Sequence, residues 1–216
     1  HTVTRSPVWR KRLQRFGLYA LVIIVVIAFL LPFTWMLSVA LKGPGEIFTF
    51  PPRILPNEPT LENFQVALEP TFLRYGFNSL LVATLTTVVT LFFAVFSAYS
   101  FSRLNFPGRR LFLVLIIMTQ LLPLAVLIVP MYRIMGNMGL LNTYPALIIA
   151  YLTFTVPVAV WFLRGFISGI PYEIEEAALI DGCTRLQAFI RVILPMSVPG
   201  ITATATYVFF LTWQEL

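Results

Sequence analysis

Charged residues, cysteine and histidine are all scarce in this sequence. Only 11% of its 216 residues are charged and 58% are hydrophobic, and the mean hydropathy is +0.86. About a quarter of the residues of a soluble domain are charged, so this composition excludes an ordinary soluble protein and indicates a bilayer as solvent. Cys183 is the single cysteine, which excludes an intrachain disulfide. With His1 as the single histidine, no metal site built from histidine and cysteine is expected.

Five apolar stretches are long enough, or nearly so, to cross a bilayer, which takes about 20 helical residues. They are Gly17 to Leu41, Gly76 to Phe101, Leu111 to about Tyr132, Pro145 to Leu163, and the stretch that starts near Pro195. Basic residues precede the first stretch, as in a signal peptide. That stretch is much longer than the apolar core of a signal peptide, about 7–15 residues, so we predict a spanning helix. Because the chain begins at His1 and ends at Leu216 in an apolar run, we expect a longer protein whose C-terminal span is missing.

The basic residues lie mainly in alternate loops, and this pattern predicts the orientation of the chain. Most of the 15 lie before the first stretch, between the second and third, and between the fourth and fifth. Because basic loops favour the cytoplasmic side, we predict a cytoplasmic N-terminus, residues 1–16, followed by a membrane domain, residues 17–216. The same pattern predicts an external loop at 42–75 and a cytoplasmic loop at 164–195. The basic residues of the predicted cytoplasmic segments account for most of the net charge of +6, so no nucleic-acid partner is implied.

Within the external loop, Thr60 to Leu68 has two interpretations. Thr60 followed by Glu62 and Asn63 is typical of a helix start, which predicts a short helix at the outer membrane interface. An ordinary irregular loop is the alternative.

The first four apolar stretches contain no Asp, Glu, Lys, Arg or His. Ion-coupled transporters usually hold an ionisable group at the coupling ion, so this absence argues against ion coupling. Amides and hydroxyls remain, and these suit a neutral solute that is rich in hydroxyl groups. The candidates for a substrate path are Asn78, Gln120, Thr153 and Thr206. For a single threonine, packing between helices is the favoured alternative, whereas the amide of Gln120 needs a polar partner inside a span.

Prolines interrupt several of the apolar stretches, and each removes a helix hydrogen bond and favours a kink. They are Pro32, Pro123, Pro130, Pro157 and Pro199. The sequence has no glycine-rich phosphate loop and no nucleophile–base pair, so we predict a non-catalytic chain without a bound cofactor. If transport is active, its energy must come from another chain.

An acidic, amphipathic segment lies between the fourth and fifth apolar stretches. Pro171 is suited to a first helical turn, and Glu173, Glu175 and Glu176 follow near that N-terminal end, where negative charge is favourable. Gly182 predicts a turn to a second short helix. The second helix is expected to carry its apolar side chains, Cys183, Leu186 and Ile190, on one stripe, and Pro195 to start the last span. A solvated hairpin and an interfacial helix are alternatives, but the acidic face favours docking to a protein.

The stretch EAALIDGCTRLQAFIRVILP, Glu176 to Pro195, closely resembles the EAA motif of the membrane subunits of bacterial ABC importers. That motif has EAA, three residues, G, nine residues and I-x-L-P, and this sequence departs from it only at Val192. Three further stretches are similar to the carbohydrate-uptake branch of these importers, specifically to the MalG-like permeases of maltose and trehalose importers. They are AYSFSRLNFPGRR (98–110), MGLLNTYPALIIAYL (138–152) and WQEL (213–216).

The resemblance covers nearly the whole chain and implies the type I ABC importer permease fold. This is an all-α, polytopic transmembrane helical bundle, here with five of six expected spans. The two short helices would then occupy a cleft of a cytoplasmic ATPase subunit. The residues implied in this coupling are Glu176, Ala177, Ala178, Asp181, Gly182, Leu186 and Pro195.

The resemblance also implies the partners of the chain in a bacterial cell membrane. They are a second, homologous permease in a heterodimer, an ATPase dimer that binds ATP and Mg, and an extracytoplasmic sugar-binding protein. The implied solute is a disaccharide or oligosaccharide such as maltose or trehalose. A permease for another neutral solute and a non-transport membrane scaffold stay open as alternatives.

Overall fold

The computed structural model describes residues 8–214, and every regular element within that range is a helix. Residues 1–7 of the predicted N-terminal segment and residues 215–216 of the WQEL stretch lie outside the described residues. The chain separates into two units, residues 1–74 and 75–216, each held by its own contacts.

The first unit is built on one long helix, α1 (Val8–Ala40). Its part Arg15–Ala40 is long and apolar enough to cross a membrane, which agrees with the first predicted span. The helix continues through Pro32. Nearly all its apolar side chains are exposed, as is expected of a helix that is hydrophobic all round and surrounded by lipid.

Two short helices lie in the loop that follows, α2 (Pro44–Ile47) and α3 (Glu62–Ala67). Helix α3 confirms the short helix that was one of the two interpretations of this loop. Its first turn is capped from outside the helix, because Thr60 Oγ1 accepts a hydrogen bond from the backbone N–H of Glu62 at 3.2 Å.

Side chains of this loop satisfy carbonyl groups at the end of α1. The amide of Asn63 donates to the carbonyl oxygens of Ala40 at 3.0 Å and Lys42 at 2.8 Å. The Lys42 ammonium is 2% exposed, donates to the carbonyl oxygen of Arg53 at 2.6 Å, and lies 4.8 Å from the centroid of the Trp35 ring. The C-terminal carbonyls of a helix lack partners within the helix, so these contacts fix where α1 ends.

The second unit, with the start of α4, contains eight helices. They are α4 (Pro70–Arg103), α5 (Arg109–Thr119), α6 (Leu124–Asn137), α7 (Tyr144–Ser168), α8 (Tyr172–Ile180), α9 (Arg185–Ala188), α10 (Leu194–Met196) and α11 (Val198–Gln214). Helices α4 and α7 are long and apolar enough to span a membrane, in agreement with the second and fourth predicted spans. Among the described residues, three helices meet this criterion. The number rises to four if the bent pair of helical segments 185–196 and 198–214 is counted as one span. The five spans predicted are therefore not confirmed.

The third apolar stretch is not one continuous helix, so the span predicted there is not confirmed. Helix α5 ends at Thr119 and α6 begins at Leu124. Pro123 has no N–H to continue the helix and disfavours a helical residue before it, and its own backbone is extended at φ −61° and ψ 133°. Gln120 consequently caps α5 and is not a mid-helix residue.

The last span also differs from its prediction, because Pro195 does not start it. A π-helical turn over Phe189–Ile193 joins α9 to α10, and Leu194 donates its N–H to the carbonyl oxygen of Phe189. Helical residues 185–196 then meet α11 at an angle of 70°. A π-turn shifts the hydrogen-bond ladder by one residue, and Pro195, in α10, removes a donor from that ladder.

The core of the second unit lies where α4, α7 and α11 meet the π-helical turn. Ala98 and Ala159 are completely buried in it, and such small side chains let helices approach closely. The hydroxyl oxygens of Thr90 and Thr155 are 2.7 Å apart between α4 and α7, which agrees with the packing interpretation of these hydroxyls. On α11, a Cβ at Gly200 would lie 2.4 Å from the Phe166 ring.

Candidate functional site

Helix α8 begins and ends where the sequence predicts. Pro171 is its N-cap, two glutamates lie in the first turn, and Asp181 is its C-cap. Gly182 follows in the left-handed conformation at φ 89°. The N–H of Cys183 donates to the carbonyl oxygen of Ala178 at 3.0 Å, and the N–H of Gly182 donates to the carbonyl oxygen of Leu179 at 3.1 Å. This pair of bonds is a Schellman motif, which glycine permits because it has no Cβ.

Helix α9 is started by a capping box. Thr184 Oγ1 accepts a hydrogen bond from the backbone N–H of Gln187 at 3.3 Å, and Gln187 Oε1 accepts one from the N–H of Thr184 at 2.8 Å. Our sequence interpretation missed this cap, although Thr followed three residues later by Gln is its signature. The turn between α8 and α9 is thus closed on both sides by hydrogen bonds.

The N-terminal part of α8 is fixed by a buried ion pair. Glu175 and Arg103 are each 6% exposed, and Glu175 Oε2 lies 3.1 Å from Arg103 Nε. Glu175 Oε1 accepts a hydrogen bond from the hydroxyl of Tyr99 at 2.6 Å. One turn of helix separates Tyr99 from Arg103 on α4, so both can reach the same carboxylate. We name Tyr99, Arg103, Glu175 and Tyr172 the anchor cluster.

Tyr172 completes the anchor cluster. Its hydroxyl lies 3.1 Å from the carbonyl oxygens of both Ser102 and Arg103, which share its one proton. These are among the last carbonyls of α4, which have no partner within the helix. The Arg103 guanidinium lies 4.3 Å from the Tyr172 ring centroid and donates to the carbonyl oxygen of Ile170 at 2.7 Å. As a basic residue in the loop between the second and third apolar stretches, Arg103 predicts only the orientation of the chain, and no local pattern indicates its pairing with Glu175.

The predicted coupling residues lie mainly on the exposed side of this hairpin. Six of the seven are exposed, and five of these six lie on α8, on α9 or in the turn between them, namely Glu176, Ala177, Asp181, Gly182 and Leu186. Ala178 is buried, and Pro195 is exposed but lies on α10, beyond the π-helical turn. Apolar surface accompanies the polar residues, since Ile180 is 85% and Leu186 59% exposed.

The stripe predicted for the second helix is only partly formed. Cys183 precedes α9, while Leu186 and Ile190 are exposed. The buried residues of this region are Ala188, Phe189 and Ile193, and their spacing follows the π-helical turn instead of a regular α-helix. The hairpin therefore packs on the core through one face and leaves Leu186 free on the other.

A cavity of about 1130 Å³ lies in the second unit, and two of the predicted path residues line it. Asn78 Oδ1 accepts a hydrogen bond from the hydroxyl of Tyr144 at 2.7 Å. The amide of Gln120 donates to the carbonyl oxygen of Phe154 at 3.3 Å, which supplies the polar partner that this amide requires. The amide of each side chain thus forms a hydrogen bond with a residue of α7.

The other two path candidates do not line the cavity. Thr153 and Thr206 donate to carbonyl oxygens of their own helices, at 3.2 Å and 2.9 Å. Aromatic residues that the sequence analysis did not select line it instead, namely Tyr132, Tyr144, Phe154 and Tyr207. Aromatic rings combine an apolar face with, in tyrosine, a polar edge, so the cavity offers apolar faces together with amide and hydroxyl groups.

Residues 90–216 match the family described as binding-protein-dependent transport system inner membrane component. This range contains the anchor cluster and the α8–α9 hairpin. It excludes the first unit.

Curated relatives extend the similarity over most of the chain. The diacetylchitobiose uptake system permease protein DasC of Streptomyces coelicolor is 36% identical over 90% of this chain and 71% of its own length. The trehalose transport system permease protein SugB of Mycobacterium tuberculosis is 34% identical over 87% of this chain and 68% of its own. The trehalose/maltose transport system permease protein MalG of Thermococcus litoralis is 32% identical over 94% of this chain and 73% of its own length.

A solved structure shares the fold. It is a bacterial ABC transporter involved in the import of the acidic polysaccharide alginate, and it matches with a TM-score of 0.64 at 19% identity. The match covers 97% of this chain and 74% of the other. The helical permease fold predicted from the sequence is thus confirmed, apart from the number of spans.

Proposed function

Because the chain belongs to the family of inner membrane components of binding-protein-dependent transport systems, we propose that it moves a disaccharide or oligosaccharide, such as maltose or trehalose, into the cell. Its relatives are sugar permeases of ABC importers, and the chain is accordingly a multi-pass membrane permease. In this proposal the energy comes from ATP and Mg bound to a separate ATPase dimer, which docks on the α8–α9 hairpin.

The observation that carries this proposal is the two-sided character of α8. One side holds Glu175 in the anchor cluster on α4, and another side exposes Glu176 and Ala177. A partner that binds the exposed side would therefore act on α4 through a buried ion pair and hydrogen bonds. Small shifts of a rigid element can be amplified when helix interfaces repack.

Helix α4 also reaches the large cavity. Asn78 lines that cavity, and Arg103 belongs to the anchor cluster at the other end of the same helix. At 1.5 Å per residue the two positions are roughly 37 Å apart along the helix axis. We infer that α4 transmits movement of the hairpin to the solute path.

The cavity supports a sugar as the solute. Rings of tyrosine and phenylalanine present flat apolar faces and hydroxyl groups, and Asn78 and Gln120 add amide groups. Sites for small molecules typically combine an apolar lining with a few placed polar groups. A second homologous permease would complete the path as a heterodimer, and a sugar-binding protein would deliver the solute on the outer side, opposite the proposed cytoplasmic N-terminus.

Assembly of the transporter tests this function. The full-length chain, expressed with the other genes of its transport system, is expected to co-purify with an ATPase subunit and a second permease. Its ATP hydrolysis should rise when a binding protein loaded with maltose, trehalose or another oligosaccharide is added. A complex without an ATPase would contradict the transport function.

Another neutral solute, such as a polyol, is the alternative within the same mechanism. Amide and hydroxyl groups in the cavity suit any solute of that chemistry. A panel of sugars and polyols titrated against the cognate binding protein separates the two, since the tighter ligand class identifies the solute. A membrane scaffold without transport would give neither ATPase stimulation nor solute uptake.

A further inference from the structure

A second cavity, of about 870 Å³, is lined by residues that follow the C-terminal end of α4, among them Asn105 and Phe106. The first turn of α5 lines it with Gly108, Arg109, Arg110 and Leu111, and α7 adds Arg164. It is connected to the end of α4, because Arg109 donates to the carbonyl oxygen of Ser102 at 3.4 Å. The cavity thus gathers three guanidinium groups from two helices.

The charges of these arginines are not neutralised within the described residues 8–214. No acidic residue lines the cavity, and the ion pair seen in the described range joins Arg103 to Glu175. Arg109 donates to a neutral amide oxygen of Asn105 at 3.2 Å and to backbone carbonyls. The Nε of Arg164 is buried without a hydrogen-bond partner. A buried donor without a partner is unfavourable, the more so when it is charged.

The backbone favours the same kind of ligand. Gly108 precedes α5 in the left-handed conformation and offers no side-chain cap, and the N–H of Arg109, the first residue of the helix, bonds to the carbonyl oxygen of Phe106 at 3.3 Å. The N-terminus of a helix carries a partial positive charge and attracts phosphate. Arg110 and Leu111 in that turn are exposed, as is the ring of Phe112.

We propose that this cavity binds the phosphate of an anionic phospholipid. Guanidinium groups bind phosphate oxygens through paired hydrogen bonds, and the half-buried Arg164 lines the cavity together with Arg109 and Arg110. A lipid is the source that the surroundings favour, because exposed Leu111 and Phe112 lie beside the arginines, in an apolar segment of a membrane protein. Basic pockets between membrane helices hold anionic headgroups for the same reason.

Native mass spectrometry of the full-length chain in detergent tests the proposal, with dioleoyl-phosphatidylglycerol and dioleoyl-phosphatidylcholine as probes. The wild-type chain should retain phosphatidylglycerol in preference to phosphatidylcholine. Arg110→Gln with Arg164→Gln should weaken phosphatidylglycerol binding on the order of tenfold or more, since each basic residue adds about 1 kcal/mol to such binding. Arg133→Gln is the matched control, because it removes an exposed positive charge on α6, away from the cavity, and should leave binding unchanged.

Three results would overturn the assignment. The first is equal retention of the two lipids by the wild-type chain, and the second is unchanged phosphatidylglycerol binding in the double variant. The third is displacement of phosphatidylglycerol by millimolar inorganic phosphate that binds as well, which would make the site one for free phosphate. If the double variant instead loses a co-purified protein and keeps the lipid, the arginines dock a protein. None of these outcomes depends on which solute is transported.

Discussion

Glu175 and Glu176 are neighbours in the sequence with opposite surroundings. Glu175 is buried against Arg103 and Tyr99, whereas Glu176 is exposed. Glu175→Gln should destabilise the protein by about 3–5 kcal/mol, because it leaves the charge of Arg103 buried without its partner. The expected result is a fall of several degrees in the midpoint of thermal unfolding in detergent.

Glu176→Gln is the control, since it removes the same charge from an exposed site and should change stability by less than about 0.5 kcal/mol. The paired variant Arg103→Met with Glu175→Leu tests the cause. Because it removes both charges, it should recover most of the lost stability. Equal unfolding midpoints for Glu175→Gln and Glu176→Gln would show that the anchor cluster does not hold α8.

At the scale of the elements, the contact between α7 and α11 depends on one glycine. A Cβ at Gly200 would lie 2.4 Å from Cγ of Phe166, so Gly200→Ala should push the two helices apart. We expect a loss of about 1–3 kcal/mol, the usual cost of overpacking. Thermal unfolding of Gly200→Ala, of Phe166→Ala and of the double variant measures this.

Phe166→Ala removes the ring and should therefore recover part of the stability that Gly200→Ala loses. If the double variant is only as stable as the sum of the two single losses predicts, the two residues do not interact, and α7 and α11 pack less closely than described.

The elements also show which features a sequence can predict. Gly182 and Pro171 predicted the bounds of α8 because their effects on the backbone are local. The break at Pro123 was predictable in principle, but hydropathy, the main signal of a span, does not detect a largely apolar interruption of four residues, 120–123. The π-helical turn and the Arg103–Glu175 pair were beyond reach, because both depend on packing between segments far apart in the chain. Which of the predicted path residues line the cavity also depends on packing between distant segments. Asn78 and Gln120 line it, and Thr153 and Thr206 do not.

At the scale of the whole molecule, a solute that passes through the large cavity should depend on the groups that line it. Gln120→Leu removes an exposed amide at nearly constant volume. It should raise the KM for uptake by about three- to tenfold if that amide binds a solute hydroxyl, in line with the net value of one hydrogen bond. Uptake of radiolabelled sugar into proteoliposomes containing the complete transporter measures this.

Thr153→Val and Thr206→Val are matched controls, because each removes a hydroxyl that bonds within its own helix. Both should keep the KM of the wild type. A KM that changes in these two variants and not in Gln120→Leu would place the solute path elsewhere.

The most direct test of the central claim, that an ATPase acts through the exposed side of the α8–α9 hairpin, compares ATP hydrolysis with sugar uptake in the same proteoliposomes. Ala177→Leu adds bulk on that side, and Gly182→Leu places a side chain at φ 89°, which only glycine adopts readily. We predict that both variants lose uptake on the order of tenfold or more, and that loaded binding protein no longer stimulates their ATP hydrolysis. In Ala28→Leu, an exposed alanine of α1, both activities should match the wild type. Normal, stimulated uptake in both hairpin variants would contradict the claim.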